Sequence, residues 1–334
     1  MEPQDWQSSF WMGGRLATDL VEISHDPQCL DDGRFWAVST TFEGEFSAAR
    51  FATVVDSDFP NRYSWKKLSG DWRTSFSREQ YINYVGAIKE LIAQGWVYQV
   101  NACRQLSMDC DSNLSLAPLF TQILKENPAP RASFLQIPDL SIASASPELF
   151  LERSGSSIRT SPIKGTKRLD EVSEFGAKDL AENVMIVDLM RNDFGSICQS
   201  GSITVPRLLA SETHPGLTHL VSDVAGTLRE KISWSEILTA LSPPGSVSGA
   251  PKSSAVDVIS TNEAKRGPYC GALGWIEGDR CELSVAIRIF WKARDGVLHF
   301  GSGAGITWSS VADAEWDETQ LKAAKLISIA GGEI

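Results

Sequence analysis

Apolar residues recur at helical spacing over 78–94, where Tyr81, Tyr84, Val85, Ile88, Leu91 and Ile92 share one face. The same period predicts helices around 115–126, over 174–193 (Leu180, Val184, Val187 and Met190 on one side), over 233–241 and from near Lys252. A last helix is expected over about 311–330, opened by Ser310 with Asp313 three residues on, a capping-box pattern. Short apolar and alternating runs predict strands within 33–57 and near 96–108, 131–137, 141–152 and 217–228. A long hairpin is expected from 269–277 through the turn Gly278-Asp279 into 281–293, and Asp295-Gly296 turns it into 297–301. Residues 242–252, with Pro243-Pro244-Gly245, Gly249 and Pro251, read as loop. There is no internal repeat and no low-complexity linker. Many strands among helices, joined mostly by short turns, predict an α+β fold with helices packed on the outer faces of sheets.

Composition narrows the class. The chain has 334 residues, 42% apolar and 22% charged, ordinary for a globular protein with a substantial core. The 31 basic and 42 acidic residues leave a net charge of −11, which argues against a nucleic-acid partner. An anionic substrate would have to be caught by a few placed cations or a metal. The start, Met1-Glu2-Pro3-Gln4-Asp5, is acidic and leads into no apolar stretch, so no signal peptide is expected. No run approaches the ~18 apolar residues of a membrane span. Six cysteines (29, 103, 110, 198, 270 and 281) without a CxxC pair predict reduced thiols in a cytoplasmic protein.

Several segments could carry chemistry. Lys164 lies in Ser161-Pro162-Ile163-Lys164-Gly165-Thr166, where the backbone is expected to turn and hold the amine. A lysine with pKa ~10.4 is a nucleophile only when burial or a nearby cation lowers that value; alone, such a lysine is more often a solvated charge. On the last helix Glu315, Glu318 and Lys322 share a face, and Asp179 and Glu182 share one on the helix over 174–193, with Asp188 and Asp193 further along. Two acidic faces can build an oxygen site for Mg²⁺, although each alone reads as a solvated face and the spacing leaves open whether they meet. In 281–293, Arg288 shares a strand face with Glu282, Ser284 and Ala286. Small neighbours leave a guanidinium room for a bidentate carboxylate, the plain alternative being a pair with a protein carboxylate. Gly301-Ser302-Gly303-Ala304-Gly305 lacks dinucleotide spacing, but its glycines would let backbone N–H groups approach an anion. His219 is a lone strand histidine, more often a core or rim residue than a base. No Ser/His/Asp or Cys/His order suggests a hydrolase.

Taken in order, the segments Tyr98-Gln99-Val100-Asn101, Ser146-Pro147-Glu148, Pro162-Ile163-Lys164-Gly165-Thr166 and Lys178-Asp179-x-x-Glu182-Asn183-x-Met185-Ile186-Val187-Asp188-Leu189-x-Arg191-Asn192-Asp193 resemble the chorismate-utilising enzymes. The resemblance continues through His219-Leu220-Val221, Gly245-Ser246-x-Ser248-Gly249-Ala250-Pro251-Lys252, Ala286-Ile287-Arg288, Gly303-Ala304-Gly305-Ile306 and Glu315-x-x-Glu318-Thr319-x-x-x-Lys322, covering about 75–330. It implies two β-sheets packed as a sandwich core surrounded by helices. It also implies a catalytic domain over 76–330, with a shortened N-terminal region, 1–75, contributing to the same fold. Mg²⁺ would be held by Glu182 and Glu318, with Asp179 and Glu315 behind them, and would bind the ring carboxylate of chorismate. Arg288 and the backbone of Gly303, Ala304 and Gly305 would hold the enolpyruvyl carboxylate. Thr166, His219, Ser246, Lys322 and Gln99 would contact substrate.

Two positions discriminate within the family. Isochorismate and salicylate synthases carry a water-activating lysine where this chain has Gln99, and glutamine cannot act as a general base. Anthranilate synthases read alanine where this chain has Lys164, a lysine characteristic of the aminodeoxychorismate synthase branch. The resemblance then implies that Lys164 attacks C2 of chorismate while Glu148, its pKa raised by desolvation, protonates the departing C4 hydroxyl. Ammonia from a separate glutamine amidotransferase subunit would add at C4, toward 4-aminobenzoate and folate. Anthranilate synthase, another chorismate-aminating synthase, or an inactive chorismate-binding subunit are the alternatives; intact Glu148, Lys164, Glu182 and Glu318 argue against the last. The chain departs from the family at Trp275, where a tyrosine is usual and its hydroxyl could touch substrate, and at Thr307-Trp308-Ser309-Ser310, which replaces a more acidic loop. A Leu-Leu-Glu-Ser motif has no counterpart, so no tryptophan feedback is expected.

Overall fold

Gly13 and Gly14, with φ of 58° and 84°, supply the two left-handed residues of a tight hairpin that joins β1 (Ser9–Met12) to β2 (Arg15–Ser24). β3 (Phe35–Thr40) and β4 (Phe46–Asp56) follow, and β3 is buried along its whole length because it lies mid-sheet. After β5 (Leu68–Asp71) and β6 (Arg73–Thr74) comes α1 (Arg78–Ala93), closed at its start by a capping box between Ser77 and Gln80. The computed structural model describes residues 8–60, 64–168, 175–214 and 217–333.

The chain continues through β7 (Gln99–Asp109), α2 (Ala117–Glu126), β8 (Ser133–Ile137), β9 (Leu140–Ser144), β10 (Leu149–Ser154), β11 (Ser157–Ser161) and β12 (Ile163–Arg168). Then come α3 (Ala177–Gly195), β13 (Thr204–His214), β14 (Leu217–Thr227) and α4 (Trp234–Leu241). The two-residue strand β15 (Gly249–Ala250) precedes α5 (Lys252–Asn262). The last elements are β16 (Ala272–Glu277), β17 (Arg280–Val285), β18 (Ile289–Lys292), β19 (Val297–Ile306), α6 (Ala312–Ala330) and β20 (Gly331–Glu333).

The fold is α+β, and among the described residues eighteen strands form one curled antiparallel ladder. It runs from β13 and β14 through β11, β10, β17, β16, β3 and β4 to β2. There β1, paired to both β2 and β8, carries it on through β9, β18 and β19 to β7. The two sheets expected from the sequence are thus hydrogen-bonded into one. Phe10, Trp36 and Leu283 from the first half share a core with Val100, Ile142, Ile289 and Ala304 from the second. A second cluster, with Phe120 of α2 and Ile327 of α6 against Phe134, Phe290 and Phe300, covers the outer face of the second half. Each such ring taken out of water contributes about 1.5–3 kcal/mol.

Two runs expected as continuous strands are interrupted, and the interruptions face each other. The run 141–152 breaks at 145–148 between β9 and β10, and 281–293 breaks at 286–288 between β17 and β18. Val285 N donates to Glu148 O and Ala145 N to Arg288 O, both at 3.0 Å. Both chains here cross from one half of the ladder to the other, and Arg288 takes a φ of 53° to do so. The kink ends the alternation that was expected to put Arg288 on a face with Glu282 and Ser284. The capping box expected at Ser310 also does not form. Val311 is the N-cap, without a side-chain bond, because Ser310 Oγ instead accepts from Thr307 N at 3.0 Å. β1, β2, β5, β6, β11, β12, β13 and β20 went unanticipated, and β15 lies in the stretch 242–252 that was read as loop. No helix among the described residues is long and apolar enough to cross a membrane.

Candidate active site

The crossing at 145–148 presents Glu148. Ser146 Oγ donates to Val285 O at 2.6 Å and accepts from Glu148 N at 3.3 Å, fixing the turn. Glu148 is 4% exposed. Burial lifts its carboxyl to about 7, against hydrogen bonds from the Ser246 side chain and Ile163 N–H and the charges of Lys164 and Lys322, which pull it down. A carboxyl poised near neutrality can deliver a proton.

Lys164 approaches from β12. Gly165 beside it has φ 77°, and a β-carbon there would stand 3.0 Å from the Phe175 ring and 3.1 Å from Asp179. Only glycine allows this turn, which directs the lysine inward. Lys164 Nζ donates to Ser246 O at 3.0 Å, so Ser246 touches both Lys164 and Glu148. Ser246 is buried in a single 3-10 turn, Gly245–Val247. That turn is tied down by Arg266, 1% exposed, whose Nη1 donates to Val247 O at 2.9 Å and whose charge is paired with Glu263.

The acidic faces of α3 and α6 do meet. Lys178 Nζ lies 2.7 Å from Glu315 Oε1 and 3.8 Å from Glu182 Oε1. Lys322 Nζ lies 2.6 Å from Glu318 Oε1 and donates to Gly303 O at 3.0 Å. Burial raises the pKa of Glu182, opposed by Lys164 and Lys178 and assisted by Glu318 and Glu315. Burial also acts to raise that of Glu318, but Lys322, Lys178 and Lys164 outweigh it and hold the group below the usual carboxylate range. Asp179 Oδ2 accepts from Gly176 N at 3.2 Å and closes the first turn of α3. Asp193 pairs with Lys252 at 2.6 Å and Asp188 with Arg191 at 3.0 Å, both apart from this cluster.

A strand edge completes the site. Cys103 N donates to Glu263 Oε1 at 2.9 Å and Asn101 N to Ser248 O at 2.8 Å, both away from β19. Opposite them, Gly303 and Gly305 therefore form the non-hydrogen-bonded pairs of the β7–β19 ladder, and their amides point off it. Ala304, in the alternate position, faces β7. Gln99 is wholly buried, and neither amide atom of its side chain has a hydrogen-bond partner among the described residues. Arg288 is largely withdrawn from water, which lowers its pKa against the opposing charge of Glu148, and no hydrogen bond leaves its guanidinium among the described residues.

Other sequence expectations fall nearby or elsewhere. His219 is 2% exposed on β14, opposite the backbone of Thr166; the Thr166 side chain lies outside the described residues. Trp275 stacks on Phe35 at 6.2 Å beneath the Arg15 guanidinium at 4.2 Å, within the core. Two participants escaped the sequence reading. Lys178 lies within the family-like segment and stands at i, i+4 from Glu182 but was given no role, and Arg266 had no signal beyond its i, i+3 spacing from Glu263. A separate groove of about 610 Å³, lined by Phe42, Leu238, Val256 and Ile259, holds no comparable cluster; its Glu43 and Glu263 are bonded to Arg266.

The geometry offers a buried acid, an amine beside it, cations and free amides for carboxylates, and acidic side chains with unused oxygens. A family model described as chorismate binding enzyme matches residues 15–328. Aminodeoxychorismate synthase component 1 of Escherichia coli (strain K12) is 36% identical over 272 residues, 78% of this chain and 59% of that protein. Anthranilate synthase component 1 of Aquifex aeolicus is 35% identical over 269 residues, 77% of this chain and 54% of that protein. The chain thus spans between half and two thirds of the length of these relatives. Among solved structures, a putative 2,3-dihydroxybenzoate-specific isochorismate synthase from Bacillus anthracis superposes with a TM-score of 0.82 at 20% identity, covering 98% of this chain and 97% of that one. Anthranilate synthase component I from Streptococcus pneumoniae superposes at 0.80 and 21% identity, covering 96% and 92%.

Proposed function

This chain belongs to the chorismate binding enzymes, and from that premise we propose that it is an aminodeoxychorismate synthase component 1, making 4-amino-4-deoxychorismate from chorismate and ammonia. The observation that carries the reading is the meeting of Lys164 and Glu148 at Ser246. The Lys164 amine, once neutral, forms a bond to C2 of chorismate. Both ring double bonds shift along the conjugated path from C2 to C4 and the C4–O bond breaks, the hydroxyl leaving as water with the proton held by Glu148. Ammonia then bonds to C4, both double bonds return to their first positions, and the C2–N bond to Lys164 breaks. Two such displacements leave the amine where the hydroxyl had been.

Arg288 and the off-ladder amides of Gly303 and Gly305 would hold the enolpyruvyl carboxylate, as a guanidinium and free N–H groups suit an anion. Ser246, Lys322, His219, Thr166 and Gln99 would line the ring. Glutamine at 99 disfavours water as nucleophile and supports ammonia.

Among the described residues no three His, Cys, Asp or Glu side chains converge as a ready-made metal cage. Mg²⁺ needs only one or two carboxylates, with waters and substrate oxygens completing its shell. Glu182 Oε1 and Glu315 Oε2 are buried without a hydrogen-bond partner among the described residues, which fits such an ion held by Glu182 and Glu318 with Glu315 and Asp179 behind. When bound, it would draw charge from the ring carboxylate. Ammonia is expected from a glutamine amidotransferase partner, in keeping with the component 1 designation of the relatives. The reaction is placed in the cytoplasm, ahead of 4-aminobenzoate and folate, and the two ladder halves are read as the family's sandwich.

The test is chorismate consumption with Mg²⁺ and ammonium, wild type beside Lys164→Ala, coupled to an aminodeoxychorismate lyase. 4-Aminobenzoate from wild type, collapsing in the variant, is the expected result. Fluorescent anthranilate, isochorismate, or an unaffected variant would keep the family and overturn the assignment within it.

A further inference from the structure

Glu182, Glu315 and Glu318 gather between α3 and α6, and three lysines face them on different terms. Lys322 bonds Glu318 and also Gly303 O, and Lys164 is held by Ser246 O. Lys178, by contrast, bonds only carboxylate among the described residues, donating to Glu315 Oε1 at 2.7 Å with Glu182 Oε1 3.8 Å away. The Glu315 and Glu182 side chains are 3% and 12% exposed, whereas that of Lys178 is 39% exposed. Its amine reaches the buried cluster although the side chain as a whole is partly open to water.

Carboxylates gathered this closely out of water repel one another unless a counter-charge lies among them. Lys178 bonds Glu315, behind the proposed ligands, and stands 3.8 Å from Glu182 Oε1, an oxygen a divalent cation would use; two cations at adjoining positions repel strongly where water is scarce. We infer that Lys178 is a resident counter-ion: it neutralises the acidic cluster while no metal is bound and withdraws toward solvent when a divalent cation enters, thereby setting the site's metal affinity. This rests on the metal reading proposed above. A long, flexible lysine can leave its partners by rotation about its stem, which a backbone-anchored group cannot.

Mn²⁺ serves as the probe, its free concentration followed by electron paramagnetic resonance, with thermal unfolding alongside. Lys178→Met is expected to bind Mn²⁺ about tenfold tighter than wild type and to melt lower without metal, with a larger upward shift on adding it. Lys265→Met, which removes an equal charge at an exposed site paired with Glu45, should match wild type and so controls for net charge. In wild-type protein, acylation of Lys178 by an amine-reactive reagent, read by peptide mass, should rise several-fold on adding Mn²⁺ while Lys265 is unchanged. That measurement decides the matter if Lys178→Met fails to fold. Equal affinity in the two variants together with unchanged labelling would overturn the counter-ion role and leave the metal site standing. No Mn²⁺ binding to any form would overturn both.

Discussion

A β-carbon on Gly305 would stand 2.5 Å from Gln99 Nε2 and 3.4 Å from Glu182 Oε2, so the buried amide of Gln99 occupies the space that a side chain on Gly305 would take. The glycine is needed here for space; its value is the room it leaves between β7, β19 and α3.

Gly305→Ala should therefore push Gln99 out of place without disturbing the ladder. We expect kcat/KM for chorismate to fall about 100-fold, as misplacement by about an ångström commonly does, with a melting temperature close to wild type. Steady-state kinetics beside a thermal scan checks it. Wild-type turnover would mean that Gln99 yields freely.

Glu148 gives a pH signature. Its carboxyl is lifted from 4.5 to about 7 by burial, so the folded chain binds a proton that the unfolded chain releases between those values. Its contribution to stability is complete below about pH 4.5 and is lost as pH rises through 7, on the order of 3 kcal/mol in total. Glu148→Gln should flatten this part of the profile, measured as urea unfolding at pH 5 and pH 8. In wild type, turnover should decline above pH 7 as the acid loses its proton, and the variant should lose at least about 100-fold in kcat. A wild-type rate that keeps rising through pH 8 would remove Glu148 as the proton donor.

Arg288 carries a largely buried charge with no hydrogen bond among the described residues. Arg288→Met should raise KM for chorismate by about 100-fold or more, the cost of losing a bidentate partner for a carboxylate. The unliganded protein should melt at the same temperature or slightly higher, because a desolvated cation has been removed. A lower melting temperature with unchanged KM would make the residue structural.

Much of the candidate site was legible through the family resemblance that short stretches carry, whereas the lysine and the acidic faces taken alone read as solvated charges. Pro162-Ile163-Lys164-Gly165-Thr166, Ser146-Pro147-Glu148 and the acidic spacings on the two helices supply an amine, an acid and carboxylates, while burial in the fold sets their protonation. The helix periods were equally legible, since α1 and α6 each bury one face. The strands were less so. β11 to β13 alternate weakly, and the runs 141–152 and 281–293 look continuous because an apolar pattern does not record where a strand changes partners.

The sequence by itself determined the α+β class, the helices, and which acid, amine and carboxylates were available for chemistry. Only the tertiary structure decided that they meet. Glu148 and Arg288 come together because two strand crossings, 137 or more residues apart in the chain, bond to each other through Val285 N and Ala145 N. Lys178 faces Glu315 across a separation of 137 residues. Local periodicity acts over a few residues, whereas these contacts are selected by long-range backbone pairing and by burial that leaves each charge one place to find its partner.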